Sequence, residues 1–205
     1  MNKVITISRE FGSGGRELGK RLAEILHIAY YDREIITAIA QKSSLAESYV
    51  NQIVEQHIVT YYPITTATSF ASMPYDAVGQ INRSIYGAQA DVLREMAQKS
   101  DCVIVGRCAD HVLREYSPLN IFVYADMPSK IERCRAKGGD LADLSDREIQ
   151  KKIQQIDKSR SRYYASYTGR VWGDKLNYDL CVNTTNHTPA ALAKAIAELV
   201  HDQMI

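Results

Sequence analysis

The strongest constraint on the fold lies at the N-terminus, where a short apolar segment runs into a glycine cluster and then into an amphipathic helix. Residues 4–8 are mostly apolar, and the ten residues from Ser8 read SREFGSGGRE. The apolar residues that follow recur on one helix face: Leu18, Leu22, Ile25 and Leu26. This order is typical of a buried parallel strand that passes through a tight loop into a helix.

The same alternation of strand and helix continues along the chain. Further short apolar segments predict strands at 29–31, 102–106, 120–125 and 178–182. Periodic segments predict helices at 44–58, 75–99, 107–115, 146–164 and 189–204, with two more that open at Asp32 and Pro128. Residues 61–74 are predicted to form a loop. The pattern predicts an α/β protein, a three-layer α/β/α sandwich around a mostly parallel sheet.

Composition excludes several classes of function. The net charge of +1 argues against a nucleic-acid partner, and no run of 18 apolar residues could span a membrane. The N-terminus lacks the long apolar stretch of a secretory signal, so we expect a cytoplasmic protein. The four cysteines form no CxxC pair, and we expect no metal bound through them.

The glycine cluster is predicted to bind phosphate, because the amide groups at the start of a helix attract anions. The candidate residues are Arg9, Gly12, Ser13, Gly14, Gly15, Arg16 and Glu17. The segment departs from the G-x-x-x-x-G-K-[ST] motif: Gly15 stands in place of the lysine and Arg16 in place of the hydroxyl residue. Arg16 is a candidate for the missing charge. The alternative is a turn that needs glycine for its backbone alone.

Arginines in the second half of the chain are candidates for neutralising charge during phosphoryl transfer. Arg107 follows the third predicted strand, and Asp157 and Arg160 share one face of a predicted helix. Arg133 precedes a Gly138-Gly139 break. We take Arg160, Arg16 and Arg133 as catalytic candidates; the alternative for each is a solvated surface charge.

Taken together, these segments resemble the cytidylate kinase-like branch of the P-loop nucleoside monophosphate kinases. The resemblance covers nearly the whole chain. It rests on six segments: ITISREFGSGGRELGKRLAEIL, YYDREII, VIVGRCADHVL, NIFVYADMPSKIERCRA, IDKSRSRYY and YDLCVNTT.

The resemblance implies an adenylate-kinase-like P-loop fold with five strands, and a reaction that uses ATP and Mg²⁺ to phosphorylate CMP or dCMP. The acceptor would be bound by Asp32, Arg33, Arg107, Asp157 and Arg160. A single domain would comprise a core (1–43, 101–136 and 165–205), an acceptor-binding insertion (44–100) and a lid (137–164). Cys108 stands where the family has an aspartate.

Two other classes of function remain open at this point. One is a nucleotide-binding sensor or regulatory protein with little kinase activity, which the missing lysine favours. The other is a binding protein for an anionic ligand that is not a nucleotide. A kinase of another small molecule is a variant of the first hypothesis. The sequence does not indicate an oligomeric state.

Overall fold

Five parallel strands form the centre of the computed structural model, which describes residues 2–51 and 77–202. The strands are β1 (Val4–Arg9), β2 (Ala29–Tyr31), β3 (Cys102–Val105), β4 (Leu119–Tyr124) and β5 (Leu180–Asn183). Their order in the sheet is β2-β3-β1-β4-β5. The predicted loop 61–74 and the second half of the predicted helix 44–58 lie outside the described residues.

Helices connect the strands and cover both faces of the sheet. They are α1 (Gly15–Leu26), α2 (Arg33–Ser43), α3 (Glu47–Asn51), α4 (Ala77–Lys99), α5 (Ala109–Val112), α6 (Met127–Ala136), α7 (Asp146–Thr168) and α8 (Pro189–Asp202). Short 3₁₀ turns occupy Arg114–Tyr116, Gly139–Leu141 and Lys175–Asn177. Helix α7 extends four residues past its predicted end and stops at Gly169, whose backbone is left-handed (φ 70°).

Successive side chains of β3 pack on opposite faces of the sheet. Cys102 and Ile104 pack with α2, α4 and α5, whereas Val103 and Val105 pack with α1 and α8. All four residues are buried, as a strand covered on both faces requires. The prediction of a three-layer α/β/α sandwich with a five-stranded parallel sheet is therefore confirmed.

Helices α6 and α7 pack against each other beside this sandwich. Cys134, Ile149 and Ile153 form a small core of their own, with Phe11 of the glycine loop against it. The proposed boundary of the lid at residue 164 falls inside the continuous helix α7. The division into core, insertion and lid stays a prediction.

The sheet brings distant residues to one edge. Arg9 pairs with Val123 at the carboxyl end of β1, and the Gly106 N–H donates to the Ile7 carbonyl at 2.9 Å where β3 ends. Ligand clefts in sheets of this kind lie outside the carboxyl ends of the strands. Among the described residues, no helix is long and apolar enough to cross a membrane.

Candidate functional site

A cleft of about 690 Å³ opens at the carboxyl edge of the sheet, between the glycine loop, helices α2 and α3, and helix α7. Its charged lining comprises Arg9, Arg16, Arg107, Lys137, Arg160, Glu10 and Glu47. Cations outnumber carboxylates, so the cleft favours an anionic ligand.

The glycine loop gives this cleft an exposed helix N-terminus. Gly14 is the N-cap of α1, with left-handed backbone (φ 81°) and no side chain to cap the first amide groups. At Gly15, a Cβ atom would lie 2.5 Å from the Arg9 Cβ, so only glycine lets the helix start this close to β1. No side chain therefore caps the amides of the first turn, an arrangement that favours an anion at a helix N-terminus. Phosphate binding by this loop stays a prediction.

Arg9 lies across the end of the neighbouring strand. It is 8% exposed, and a Cβ at Gly106 would collide with the Arg9 guanidinium. The guanidinium thus occupies the space that the missing side chain leaves. Arg9 stands at the first-glycine position of the P-loop motif, and the structure makes it a cation in the wall of the cleft.

Arg107 is held on an unusual stretch of backbone. Gly106, Arg107 and Cys108 are consecutive left-handed residues, with φ of 79°, 62° and 53°. Such backbone is unfavourable for residues with a side chain and persists only where the surroundings enforce it. The amide group of the buried Gln89 donates to the Arg107 carbonyl at 2.8 Å.

Arg160 completes a group of three arginines. It comes from α7, and its Nη1 donates to the Arg9 carbonyl at 3.2 Å. Its guanidinium also lies 5.8 Å from the centre of the Phe11 ring. Arg9, Arg107 and Arg160 line the large cleft together, and they line a smaller adjoining cavity of about 30 Å³.

Arg16 lines the cleft but carries a partner. Its Nε lies 2.5 Å from Oδ2 of the buried Asp32, and its Nη2 donates to Oδ1 at 3.3 Å. Asp32 occupies the N-cap position of α2, yet its side chain does not cap the helix. Asp32 therefore balances the charge of Arg16 and is not among the residues that line the cleft.

Asp157 supports the glycine loop from beneath. Its Oδ1 accepts the Phe11 N–H at 2.7 Å, and its Oδ2 lies 3.5 Å from Nζ of Lys130. The same Lys130 lies 2.6 Å from Oε2 of Glu10. Burial raises the pKa of Asp157, against the opposing influence of the Phe11 N–H and the Lys130 charge. Asp157 thus contacts the loop rather than the space of the cleft.

Lys130 is one of the residues that sequence reasoning missed. It is 5% exposed, which is rare for a lysine and requires paired carboxylates. One signal was present in the sequence. Lys130 lies four residues before Cys134, on the side of α6 that faces the small core, where an apolar residue is expected.

Gly12 also lines the cleft, whereas Ser13, Glu17 and Arg133 are not among its lining residues. Arg133 turns toward the loop after β5, where it bonds the Thr184 carbonyl and the Thr184 hydroxyl. Glu17 pairs with Arg21 at 2.8 Å on the exposed side of α1, and the buried Ser13 hydroxyl donates to the Glu10 carbonyl. The side chain of Arg33 lies outside the described residues.

No protein-built metal site is apparent in the described part of the chain. Within residues 2–51 and 77–202, no three His, Cys, Asp or Glu side chains are grouped to hold a metal ion. Mg²⁺ commonly binds through substrate phosphates and keeps several waters, so this finding concerns protein ligands alone. The uncapped α1 amides and the three arginines suit the phosphates of a nucleotide.

Comparison with protein families gives a match to the cytidylate kinase-like family model over residues 4–186. The chain belongs to the cytidylate kinase-like family. This confirms the resemblance found in the sequence, and it supports a kinase-like phosphotransferase that acts on nucleotides. No curated protein matches the chain.

Solved structures agree on the fold. A protein from Eubacterium ventriosum, described as uncharacterized, is 23% identical with a TM-score of 0.68, over 97% of this chain and 98% of that chain. A shikimate kinase from Bacteroides thetaiotaomicron is 15% identical with a TM-score of 0.57, over 98% and 99%. A shikimate kinase from Acinetobacter baumannii, in complex with shikimate, is 15% identical with a TM-score of 0.53, over 99% and 94%. At these identities, the likeness shows the P-loop kinase fold and no substrate.

Proposed function

We propose that the protein transfers the γ-phosphoryl group of ATP to a small acceptor, with CMP or dCMP the first candidates. The observation that carries the proposal is the convergence of Arg9, Arg107 and Arg160 beside the glycine loop, in a single cleft. These arginines come from β1, from the turn after β3 and from α7, three elements that lie far apart in the sequence.

The cleft divides naturally between donor and acceptor. The glycine loop and the first turn of α1 would bind the phosphates of ATP. Arg107 would bind the acceptor phosphate, and Thr37 of α2 and Asn51 of α3 line the same cleft. Arg160 contacts the Arg9 carbonyl from α7, which suits it to the charge of the transferred group.

The reaction needs no covalent intermediate on the protein. An oxygen of the acceptor phosphate attacks the γ-phosphorus, the bond from that phosphorus to the β,γ-bridging oxygen breaks, and ADP leaves. Mg²⁺ would enter with the nucleotide, held by its phosphates and by water. The chain's contribution is to position the two phosphates and to neutralise their charge. The use of ATP and a nucleoside monophosphate is consistent with a cytoplasmic enzyme.

A second candidate is a nucleotide-binding regulatory protein with little kinase activity. The pairing of Arg16 with Asp32 favours it, because the residue at the hydroxyl position of the motif is engaged with a buried carboxylate. Such a protein would bind ATP but would phosphorylate no acceptor.

One assay separates these functions. ADP release from ATP and Mg²⁺ is measured with CMP, dCMP, UMP, AMP, GMP and shikimate, and the phosphorylated product is identified by mass. Turnover of roughly 1–100 per second with CMP or dCMP is expected for the proposed kinase. Turnover with a different acceptor only would show that CMP and dCMP are not the substrates. ATP binding without any phosphoryl transfer would favour the regulatory protein.

A further inference from the structure

One buried side chain, Gln89, holds the backbone of Arg107, and a second, Tyr163, holds Gln89; neither takes part in the proposed chemistry. Gln89 of α4 has no exposed surface, and its Nε2 donates to the Arg107 carbonyl at 2.8 Å. Its Oε1 accepts the hydroxyl of the buried Tyr163 at 3.0 Å. The amide of Gln89 therefore links the left-handed Arg107 to helix α7.

The same contact belongs to a larger junction between α4 and α7. Tyr86 stacks on Tyr167 with ring centres 4.1 Å apart, and the Tyr167 hydroxyl donates to the Asn82 carbonyl at 3.2 Å. On α4, Asn82, Tyr86 and Gln89 are spaced four and three residues apart. On α7, Tyr163 and Tyr167 are four apart, so the residues of each set share one helix face. Gln89 and Tyr163 lie at one end of this junction, and Tyr163 lines the small cavity together with Arg9, Arg107 and Arg160.

The position of Tyr163 relates this junction to the cleft arginines. It lies three residues after Arg160, on the same face of α7. Helix α7 therefore contacts the backbones of two cleft residues. Arg160 donates directly to the Arg9 carbonyl, and Tyr163 reaches the Arg107 carbonyl through the Gln89 amide.

We infer that Gln89 and Tyr163 are positioning residues, which hold the Arg107 backbone in its left-handed conformation and so aim its guanidinium at the acceptor phosphate. The docking of α4 against α7 is then coupled to acceptor binding. This inference rests on the proposed role of Arg107 in acceptor binding. Neither residue touches the reacting groups; each acts through Arg107.

Three substitutions test the pair. Gln89→Met removes both hydrogen bonds at nearly constant volume, Gln89→Glu removes the donor to the Arg107 carbonyl but keeps an acceptor for Tyr163, and Tyr163→Phe removes only the Tyr163 hydroxyl. The matched control is Gln98→Met on the same helix, because Gln98 is exposed and its Nε2 donates to the Tyr116 hydroxyl at 2.9 Å, away from the cleft. Each variant is compared with the wild type in titrations with CMP, inorganic phosphate and ATP, measured by calorimetry.

Gln89→Met and Gln89→Glu are expected to raise the Kd for CMP and for inorganic phosphate about tenfold, with a smaller rise for Tyr163→Phe. The Kd for ATP is expected to stay within about twofold of the wild-type value. ATP serves as the control because a general loss of folding would weaken the binding of all three ligands. In an Arg107→Met background, Gln89→Met is expected to have no further effect on CMP, because it acts through Arg107.

The outcomes separate the two proposals. If Arg107→Met weakens CMP or phosphate but Gln89→Met does not, the positioning role is wrong and the proposed function stands. If Gln89→Met weakens ATP as much as CMP, its role is structural and the inference also fails. If the wild type binds none of the three ligands, the proposed function and this inference fall together.

Discussion

The buried Lys130 gives the sharpest test of how the glycine loop is supported. Its Nζ lies 2.6 Å from Glu10 and 3.5 Å from Asp157. At an effective dielectric constant of about 20, these separations correspond to attractions of about 6 and 5 kcal/mol, most of which offsets the cost of burying the three charges. Lys130→Met leaves both carboxylates without this cation. We expect the free energy of unfolding to fall by about 3 kcal/mol, the lower end of the usual range, because Glu10 keeps 26% of its side chain exposed.

The loss should depend on pH in a defined direction. Burial raises the pKa of Asp157 above its ordinary value in the wild type, and the charge of Lys130 opposes that rise. Without Lys130 the pKa of Asp157 rises further. A carboxyl whose pKa is higher in the folded than in the unfolded protein binds more protons when folded, so stability falls as pH rises between the two values. The deficit of Lys130→Met is therefore largest at neutral pH and narrows as the pH falls through the raised pKa.

Urea unfolding followed by circular dichroism, at about pH 7.5 and pH 5, measures both effects. Lys42→Met is the matched control, because Lys42 lies 2.6 Å from Glu95 and 3.6 Å from Asp91 but is exposed. Exposed ion pairs contribute little, so we expect this control to change stability only slightly at either pH. The reasoning is refuted if Lys130→Met loses no more stability than Lys42→Met, or if its deficit is the same at both pH values.

Three further variants test the cleft itself, and a fourth, Gly87→Ala, is the control for the first. Gly15→Ala places a Cβ against Arg9, so it should lower the free energy of unfolding by about 1–3 kcal/mol and weaken ATP binding. Gly87→Ala has open space around the new Cβ and should stabilise α4 by about 0.5–1 kcal/mol. Thermal unfolding measures both changes in stability. Arg160→Ala should reduce kcat by at least a hundredfold with unchanged circular dichroism, and unaltered turnover would remove Arg160 from the mechanism. Arg16→Ala should weaken ATP binding in calorimetry if Arg16 contacts the phosphates despite its pairing with Asp32; an unchanged Kd would limit Arg16 to that ion pair.

The sequence predicts the fold well because the evidence for it is local. The short apolar run of β3 and the helical spacing in α1 are each contained in a few neighbouring residues. The meeting of Arg9 and Arg107 at one edge also follows from the sequence, because parallel strands bring their carboxyl ends together. The position of Arg160 beside these two residues is harder to predict from the sequence, because it depends on how α7 packs against the glycine loop.

The partners of individual side chains could not be predicted in the same way. Asp157 binds the Phe11 amide 146 residues away, and Gln89 binds the Arg107 carbonyl from a different helix. Neither contact leaves a periodic trace in the sequence. Asp32 illustrates the same limit, because its N-cap position is visible from the sequence while its actual partner, Arg16, lies on the preceding helix.

The absence of a lysine from the glycine loop changes how the cleft is assembled. A lysine within the loop would keep its charge beside the loop in any position that the loop adopts. Here Arg160 is supplied by α7, and the same helix holds the loop at two points, through Asp157 on the Phe11 amide and through Arg160 on the Arg9 carbonyl. These residues are three apart on one helix face, so a displacement of α7 would withdraw the cation and release the loop together. In the proposed kinase, the share of charge neutralisation that Arg160 supplies would therefore depend on the packing of α7 against the glycine loop.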